Sequence, residues 1–358
     1  MKKVLQITGS LRLGGLETVA TNFAKYKQDK NIQYFYLVYG EEIGEYEETI
    51  LQYGGIIIHI PTTPTDIFNY YYEFKNVLDT YGPFDAIHCH TSFSSAISLL
   101  ISKRYGIPKR ITHSHTDRSS IKNSLIRKLY IKVMQKIINK STTDAVACSL
   151  GAGKYLFGDK YFLHKGTVIL NGINEKDYQF DVDVRKNIRK QLKLDDHILL
   201  GHVGTLNDVK NQSFLLEIIY KISRENEKFK LLLVGNGPDY KKLNKRIKEL
   251  NIEDNVFLVG QKENANDYLM AIDFFLFPSK LEGLGLAAVE AQISGLPTII
   301  SQNVPEEVIA TTNCFKLPLN VDLWCDLILQ NKGINRESKF IEQFEMKRSI
   351  KKIEELYY

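Results

Sequence analysis

The sequence predicts an α/β protein built from two doubly wound, parallel-sheet domains, and three observations carry that prediction. The chain has 358 residues, more than one hydrophobic core commonly supports. Short β-rich runs alternate along it with longer stretches of helical period, as in strand–helix–strand units. That alternation lapses over a polar, charge-mixed stretch at residues 174–196 and then begins again.

In the first half the expected strands are residues 4–8, 34–39, 56–60, 86–90, 110–115 and 145–149, with 168–170 closing the set. Nearly every residue in them is apolar, as a sheet covered by helices on both faces requires. Amphipathic runs at 17–26 and 67–78 supply two of the covering helices. The second half repeats the pattern, with strands at 198–203, 231–234, 256–259, 274–277 and 298–301. Residues 1–172 are thus expected to form one domain, 173–196 a linker region with a short helix at 185–192, 197–335 a second domain, and 336–358 a terminal helix. Two such sheets imply a cleft between them, with ligands outside the carboxyl ends of the strands.

Composition narrows the class. Apolar residues make up 44% and charged residues 25%, the balance of a globular chain. No stretch approaches the roughly 18 apolar residues that span a bilayer. The start could mimic a short signal peptide, but Gln6 interrupts its apolar run and Arg12 follows closely, so it reads as a first strand. The four cysteines (Cys89, Cys148, Cys314, Cys325) are scattered without a CxxC pair, which fits a reduced, cytoplasmic setting.

The net charge of +5 hides an asymmetry. Residues 1–172 hold 21 Lys/Arg against 14 Asp/Glu, while the remainder holds 26 against 28. Within the first half, residues 103–140 carry 11 basic residues and a single acid, Asp117. That concentration points to an anionic partner, a membrane surface or a phosphate-bearing substrate, unless it is simply a solvated helical face. Residues 119–140 read as one helix. Ile126, Tyr130, Val133, Met134, Ile137 and Ile138 form an apolar face expected to pack on the core. Lys122, Lys128, Lys132, Lys136 and Lys140 gather largely opposite, a face suited to anionic lipid headgroups at the inner face of the cytoplasmic membrane. Nucleic acid is not expected, because the patch lacks interleaved aromatics and no duplex-reading motif is present.

The strongest local signal is Phe277-Pro278-Ser279-Lys280-Leu281-Glu282-Gly283-Leu284-Gly285-Leu286-Ala287-Ala288-Val289-Glu290. A strand ends at Pro278, a glycine turn follows, and a helix begins near Leu284 to Leu286. Unpaired N–H groups at that helix start suit a diphosphate. Glu282 and Glu290 supply carboxylates, good bidentate acceptors for sugar and ribose hydroxyls.

This constellation resembles family 4 of the retaining glycosyltransferases, which have the GT-B fold of two Rossmann-like domains facing across a cleft. Bacterial capsular and exopolysaccharide enzymes are the nearest in look. The resemblance implies that Glu282 contacts the donor sugar and Glu290 the ribose. It extends over nearly the whole chain. Gly14-Gly15-Leu16-Glu17 resembles the family's N-terminal glycine loop, and Val168-Ile169-Leu170-Asn171-Gly172-Ile173 its interdomain segment, usually with proline where Leu170 stands. Leu233-Val234-Gly235-Asn236-Gly237-Pro238 resembles the glycine turn on the nucleotide side, and residues 336–358 the helix that crosses back to the first domain.

One departure matters. The family typically has Gly-Arg-Leu after the first strand of the second domain, with a lysine five residues beyond the arginine. Here Lys210 stands at the lysine position, but Thr205 replaces the arginine. Loss of a bidentate cation would cost roughly 2–4 kcal/mol of transition-state stabilisation unless another base replaces it. Either another base compensates, or the chain is a weak or inactive member.

His88-Cys89-His90 and His113-Ser114-His115 close two predicted strands, and alternation puts both histidines of each pair on one face. His115 best matches the family histidine that reaches toward the transferred sugar, with packing as its alternative role. His90 and His113 join Gly14 and Gly15 as acceptor-side candidates. Zinc would fit these residue types, but the resemblance implies chemistry that needs no metal and no cofactor. Asp181-Val182-Asp183 looks like an Asp-x-Asp metal motif, yet it lies in the linker region and reads as a decoy.

The reading is sugar transfer, with retention, from an NDP-sugar (UDP-linked by expectation) to a lipid-linked or growing glycan acceptor in bacterial polysaccharide biosynthesis. Glu282, Lys210 and His115 would serve the reacting centre. Gly15, Lys210, Gly235, Asn236, Gly237, Glu282, Gly283, Leu284, Gly285, Leu286 and Glu290 would line the donor site. The alternatives are an inactive partner of another transferase and a nucleotide-sugar epimerase; the Glu282–Glu290 context argues against the epimerase.

Overall fold

The computed structural model of the protein describes every residue except Leu13, 118–123, Asp195, Glu263 and 332–335. It divides into two compact units, Met1–Gly172 with Gln343–Tyr358, and Ile173–Glu342.

The first unit runs β1 (Lys2–Gly9), α1 (Gly15–Lys25), β2 (Ile32–Tyr39), α2 (Glu47–Gln52), β3 (Ile56–Ile60), α3 (Ile67–Tyr81) and β4 (Ala86–Cys89). It continues through α4 (Ser95–Arg104), β5 (Lys109–Ser114), α5 (Leu125–Ser141), β6 (Asp144–Ala147), α6 (Leu150–Phe157), α7 (Asp159–Lys165) and β7 (Gly166–Val168). The seven strands lie in the order β3-β2-β1-β4-β5-β6-β7, all parallel. Val4, Leu5, Ile7, Ile87 and Ile111 are wholly buried, because helices cover both faces of the sheet.

The second unit runs α8 (Val182–Leu192), β8 (Ile198–Val203), α9 (Gln212–Glu225), β9 (Phe229–Val234), α10 (Tyr240–Leu250), β10 (Val256–Gly260) and α11 (Ala265–Ala271). Then follow β11 (Phe274–Phe277), α12 (Leu286–Ile293), β12 (Thr298–Ser301), β13 (Cys314–Leu317) and α13 (Val321–Gln330). Its order is β10-β9-β8-β11-β12-β13. In each sheet the order reverses beside the first strand, between β1 and β4 and between β8 and β11. A crevice forms at such a switch point, where the loops leave in opposite directions.

Four features depart from the sequence-based expectations. The edge strand β13 was not anticipated: its four residues are all half-buried, so they lack the apolar run that marks interior strands. Residues 173–196 are no free linker. Asp181 caps α8 by accepting the N–H groups of Asp183 and Val184, and Arg185 and Arg189 bind Asp273 at 2.6 and 3.2 Å. This occupies the first carboxylate of the Asp-x-Asp look-alike as a helix cap.

The terminal helix is shorter than 336–358. Arg336 buries its guanidinium among the carbonyls of Leu269, Met270, Ile272 and Ser294 in the second unit, and burial brings its pKa down to about 9. Those bonds hold residue 336 in an irregular segment; the helix α14 spans Met346–Glu355. In the first unit, the Glu354 carboxylate on α14 accepts the N–H groups of Gln28 and Asp29 at 3.0 and 2.9 Å.

The apolar face assigned to residues 119–140 is largely solvent-facing, not core. α5 buries only Ile138 and Ser141, whereas Ile126 is 83% exposed and Tyr130 and Val133 are also exposed. Residues 119–123, with Lys122, lie outside the described residues.

Candidate functional site

In the first unit the histidines gather beside the switch point. His88 in β4 and His113 in β5 hold parallel rings with centroids 5.4 Å apart, and His90 and His115 follow at the strand ends. His90 Nδ1 lies 2.8 Å from His115 Nε2, and His90 Nε2 lies 2.8 Å from Oε1 of Gln6 on β1. Gln6 Nε2 in turn donates to the Tyr357 hydroxyl at 3.0 Å, which sits 2.9 Å from His88 Nδ1.

This network assigns the tautomers. A carboxamide oxygen only accepts, so His90 carries a proton on Nε2. Burial holds His88, His90 and His113 well below the ordinary histidine range, and brings His115 down to about 3. The rings are therefore neutral at neutral pH. Neutral His90 offers a lone pair at Nδ1, so His115 donates from Nε2. The Nδ1 of His115 is left as a lone pair with no partner among the described residues. Such a nitrogen can accept a hydrogen bond from a hydroxyl.

His88, His90 and His113 also bring one ring nitrogen each within 4.8 Å of the others, and histidine nitrogens ligate zinc. Both nitrogens of His90 are already engaged, by Gln6 and His115. A metal ion would have to break that relay.

The glycine loop has a different job from a bare phosphate cradle. Gly14 is the N-cap of α1 in extended backbone. A side chain there would collide with the Glu17 carboxylate, which accepts from Ser10 Oγ at 2.9 Å. Glu17 thus sits beside Gly14 at the head of α1, where an incoming phosphate would meet a carboxylate. A Cβ on Gly15 would enter open space.

In the second unit the loops leaving β8 and β11 run side by side, with Lys280 N–H donating to the Val209 carbonyl at 2.8 Å. Lys210 on the first loop reaches Glu282 on the second at 2.7 Å, and lies 4.9 Å over the Phe277 ring. Asn207 Oδ1 accepts the Lys210 N–H at 2.9 Å and secures the turn that aims this side chain. Gly285, the N-cap of α12, has φ of 101°, a left-handed backbone that favours glycine. Leu284 packs inward, Gly283 completes the turn, and Leu286 opens the helix whose first-turn N–H groups suit an anion.

Glu290 sits in the second turn of α12. Burial pushes its carboxyl up to about 7, against the opposing pull of a Tyr178 hydrogen bond and the Lys210 charge. Lys210 therefore acts on both glutamates, ion-paired to one and electrostatically felt by the other.

The Gly235-Asn236-Gly237 turn braces these loops. A side chain on Gly235 would strike the Gly204 carbonyl, and one on Gly237 the Leu206 backbone. Leu206 N–H donates to the Asn236 carbonyl at 3.0 Å. The glycines thus allow two loops to touch. Thr205 is exposed, and Lys280, ion-paired to Asp208 at 2.7 Å, is the further cation on the neighbouring loop.

Sequence reasoning missed Gln6, Tyr357 and Tyr178. Gln6 carried a signal, being a polar residue inside an apolar strand; it was used only to argue against a signal peptide. Tyr357 and Tyr178 carried none, since their partners are 351 residues away for Tyr357 and Gln6 and on another element for Tyr178 and Glu290.

Residues 13–177 match the family model described as Glycosyltransferase Family 4, and residues 183–314 that described as Glycosyl transferases group 1. EpsF of Bacillus subtilis (strain 168), a glycosyltransferase by name, is 28% identical over 96% of this chain and 91% of its own. The capsular polysaccharide biosynthesis glycosyltransferase CapH of Staphylococcus aureus is 28% identical over 100% of this chain and 99% of its own. In fold, the chain is similar to Alr3699/HepE of Anabaena, solved in complex with UDP-glucose, with a TM-score of 0.83, 19% identity and 99% of each chain covered.

Proposed function

The chain belongs to the group 1 and family 4 glycosyltransferases, of GT-B fold, and from that premise we propose that it transfers a sugar from a UDP-sugar to a lipid-linked or growing glycan acceptor in bacterial polysaccharide assembly. Transfer proceeds with retention of configuration and without a metal ion, at the inner face of the cytoplasmic membrane. The observation that carries this reading is the Glu282–Lys210–Glu290 group around the start of α12. Lys210 and the first-turn amides of α12 hold the donor diphosphate, replacing divalent-metal neutralisation with fixed positive charge. The diphosphate takes Lys210 from Glu282, whose oxygens turn to sugar hydroxyls, and Glu290 accepts from the ribose diol. In the first unit, the buried Nδ1 of His115, unpartnered among the described residues, is the nitrogen able to accept a hydrogen bond from a sugar hydroxyl. HepE's complex with UDP-glucose and the capsular role in the name CapH support the donor and the pathway class.

Calorimetric titration with UDP, GDP and ADP, repeated on Glu290→Ala, tests this. Selective UDP binding that the substitution weakens supports the reading. Absence of binding by every nucleotide overturns it.

Thr205 favours a second reading, a weak or inactive chain that assists another transferase. Measurable sugar transfer by the wild-type chain alone excludes it.

A further inference from the structure

Sheet register brings the two His-x-His segments together. β4 and β5 pair in parallel with His88 beside Ile111 and Cys89 beside Thr112. The next step places His90 beside His113, and alternation turns the four histidines to one face. Ring centroids lie 4.2 Å apart for His88 and His90, 5.4 Å for His88 and His113, and 5.7 Å for His90 and His113. His88 and His113 are buried, yet His88 Nε2 and both nitrogens of His113 have no hydrogen-bond partner among the described residues. Buried polar atoms are almost always satisfied, so orphans gathered at one place call for a ligand.

Three imidazole nitrogens within 4.8 Å of one another suit a borderline first-row ion. Magnesium and calcium take oxygen donors instead. Zinc ligation at about 2.0–2.1 Å sets tetrahedral nitrogens about 3.4 Å apart, which the triad reaches by shifts of about 1 Å. His88 is already oriented as a ligand would be, with Nδ1 2.9 Å from the Tyr357 hydroxyl, because ligating histidines hold an oxygen partner on the second nitrogen. His115 beside them is only half-buried, which leaves a route from solvent to the cluster.

We propose that His88, His90 and His113 bind a zinc ion, and that the bound ion switches sugar transfer off. His90 has one lone pair, on Nδ1, and with it accepts the Nε2–H of His115. An ion that takes this lone pair releases His115 from the tautomer that leaves its Nδ1 open to a sugar hydroxyl. The metal-free chain is thus the active form. The switch rests on the role proposed for His115 above, whereas the binding stands on the cluster alone.

Zinc, and magnesium as its control, are titrated by calorimetry into the full-length, chelator-treated protein. One zinc per chain is expected to bind where magnesium at equal concentration does not. His88→Phe and His113→Phe each keep an aromatic ring without a donor nitrogen, and should weaken zinc by about tenfold or more. UDP affinity of His88→Phe should match the wild type. Imidazole nitrogen NMR should show His88 and His113 shifting on zinc addition, a readout that needs no activity. In transfer assays, saturating zinc should lower wild-type kcat by about tenfold or more, and chelation should restore it. His88→Phe should keep its own metal-free rate when zinc is added. Zinc that fails to bind, or binds both variants as tightly as the wild type, overturns the site. Zinc that binds the histidines yet leaves transfer unchanged, or is required for it, overturns the switch. Should either variant melt abnormally, the other variant and the nitrogen shifts decide. A wild type that transfers no sugar even without metal strikes the proposed function instead, and the site is then judged on zinc binding and the nitrogen shifts.

Discussion

The two switch points of this molecule solve the same topological problem with opposite chemistry. In the first unit, buried side chains in and just beyond the strands meet in a neutral relay, Tyr357–Gln6–His90–His115, in which Gln6 sets the tautomer of His90 and His90 that of His115. In the second, two loops and a helix start bring together a lysine and two glutamates, charged groups whose state a ligand can change. Buried side chains are fixed by the packing around them, so they can hold one tautomer. Loop side chains can exchange partners, as Lys210 would on meeting a diphosphate. One face presets geometry and the other responds to charge.

The largest effect should come from the responsive side. Lys210→Ala removes the cation aimed at the diphosphate and is expected to lower kcat by about 10²–10³. Steady-state transfer assays check it, and an effect under about threefold would mean that Lys280 or another cation carries the phosphate.

Next in size is the titration of Glu290. Its folded pKa of about 7 lies above the reference 4.5, so its contribution to stability is fully present below the reference value and is lost as pH rises through 7. Glu290→Gln has no charge to bury and is expected to make the ligand-free protein more stable at pH 8 by about 1–3 kcal/mol. Wild-type UDP affinity should rise between pH 6 and 8 as the carboxylate ionises, and the variant's should stay flat. Denaturant melts and calorimetry across that range decide both; a pH-independent wild type would break the contrast between a responsive and a preset unit.

The preset side should respond more gently. Gln6→Leu frees His90 to change tautomer and is expected to cut kcat about tenfold with donor KM unchanged. Imidazole nitrogen NMR should show His115 protonated on Nε2 in the wild type and mixed in the variant. Tyr357→Phe, which removes the hydroxyl that meets both the Gln6 amide and His88 Nδ1, should fall between. Unchanged nitrogen shifts in Gln6→Leu would reduce the relay to packing.

The smallest effect concerns stability alone. Asp181→Ala uncaps α8 and should cost about 1 kcal/mol in a denaturant melt, with sugar transfer unaltered. A metal-dependent loss of activity would restore the Asp-x-Asp reading.

Much of this was legible in the sequence, for local reasons. Apolar runs flanked by turn residues marked twelve of the thirteen strands among the described residues to within two residues at either end, all but β13, because strands covered on both faces read as near-continuous apolar runs. The glycine turn before α12 and the two glutamates were legible because helix starts and acceptor chemistry are written within a few residues. What lay beyond local reading was everything decided by distant partners. The outward turn of the α5 apolar face depends on which helices are available to cover it. The short terminal helix depends on carbonyls near residue 270 that draw in Arg336, and the tautomer of His115 on a tyrosine near the other end of the chain. Residue type and spacing thus determined the two sheets, their ligand-facing ends and the carboxylates of the candidate donor site. Only tertiary structure decided which side chains share a proton or a charge, because those depend on distance in space rather than along the chain.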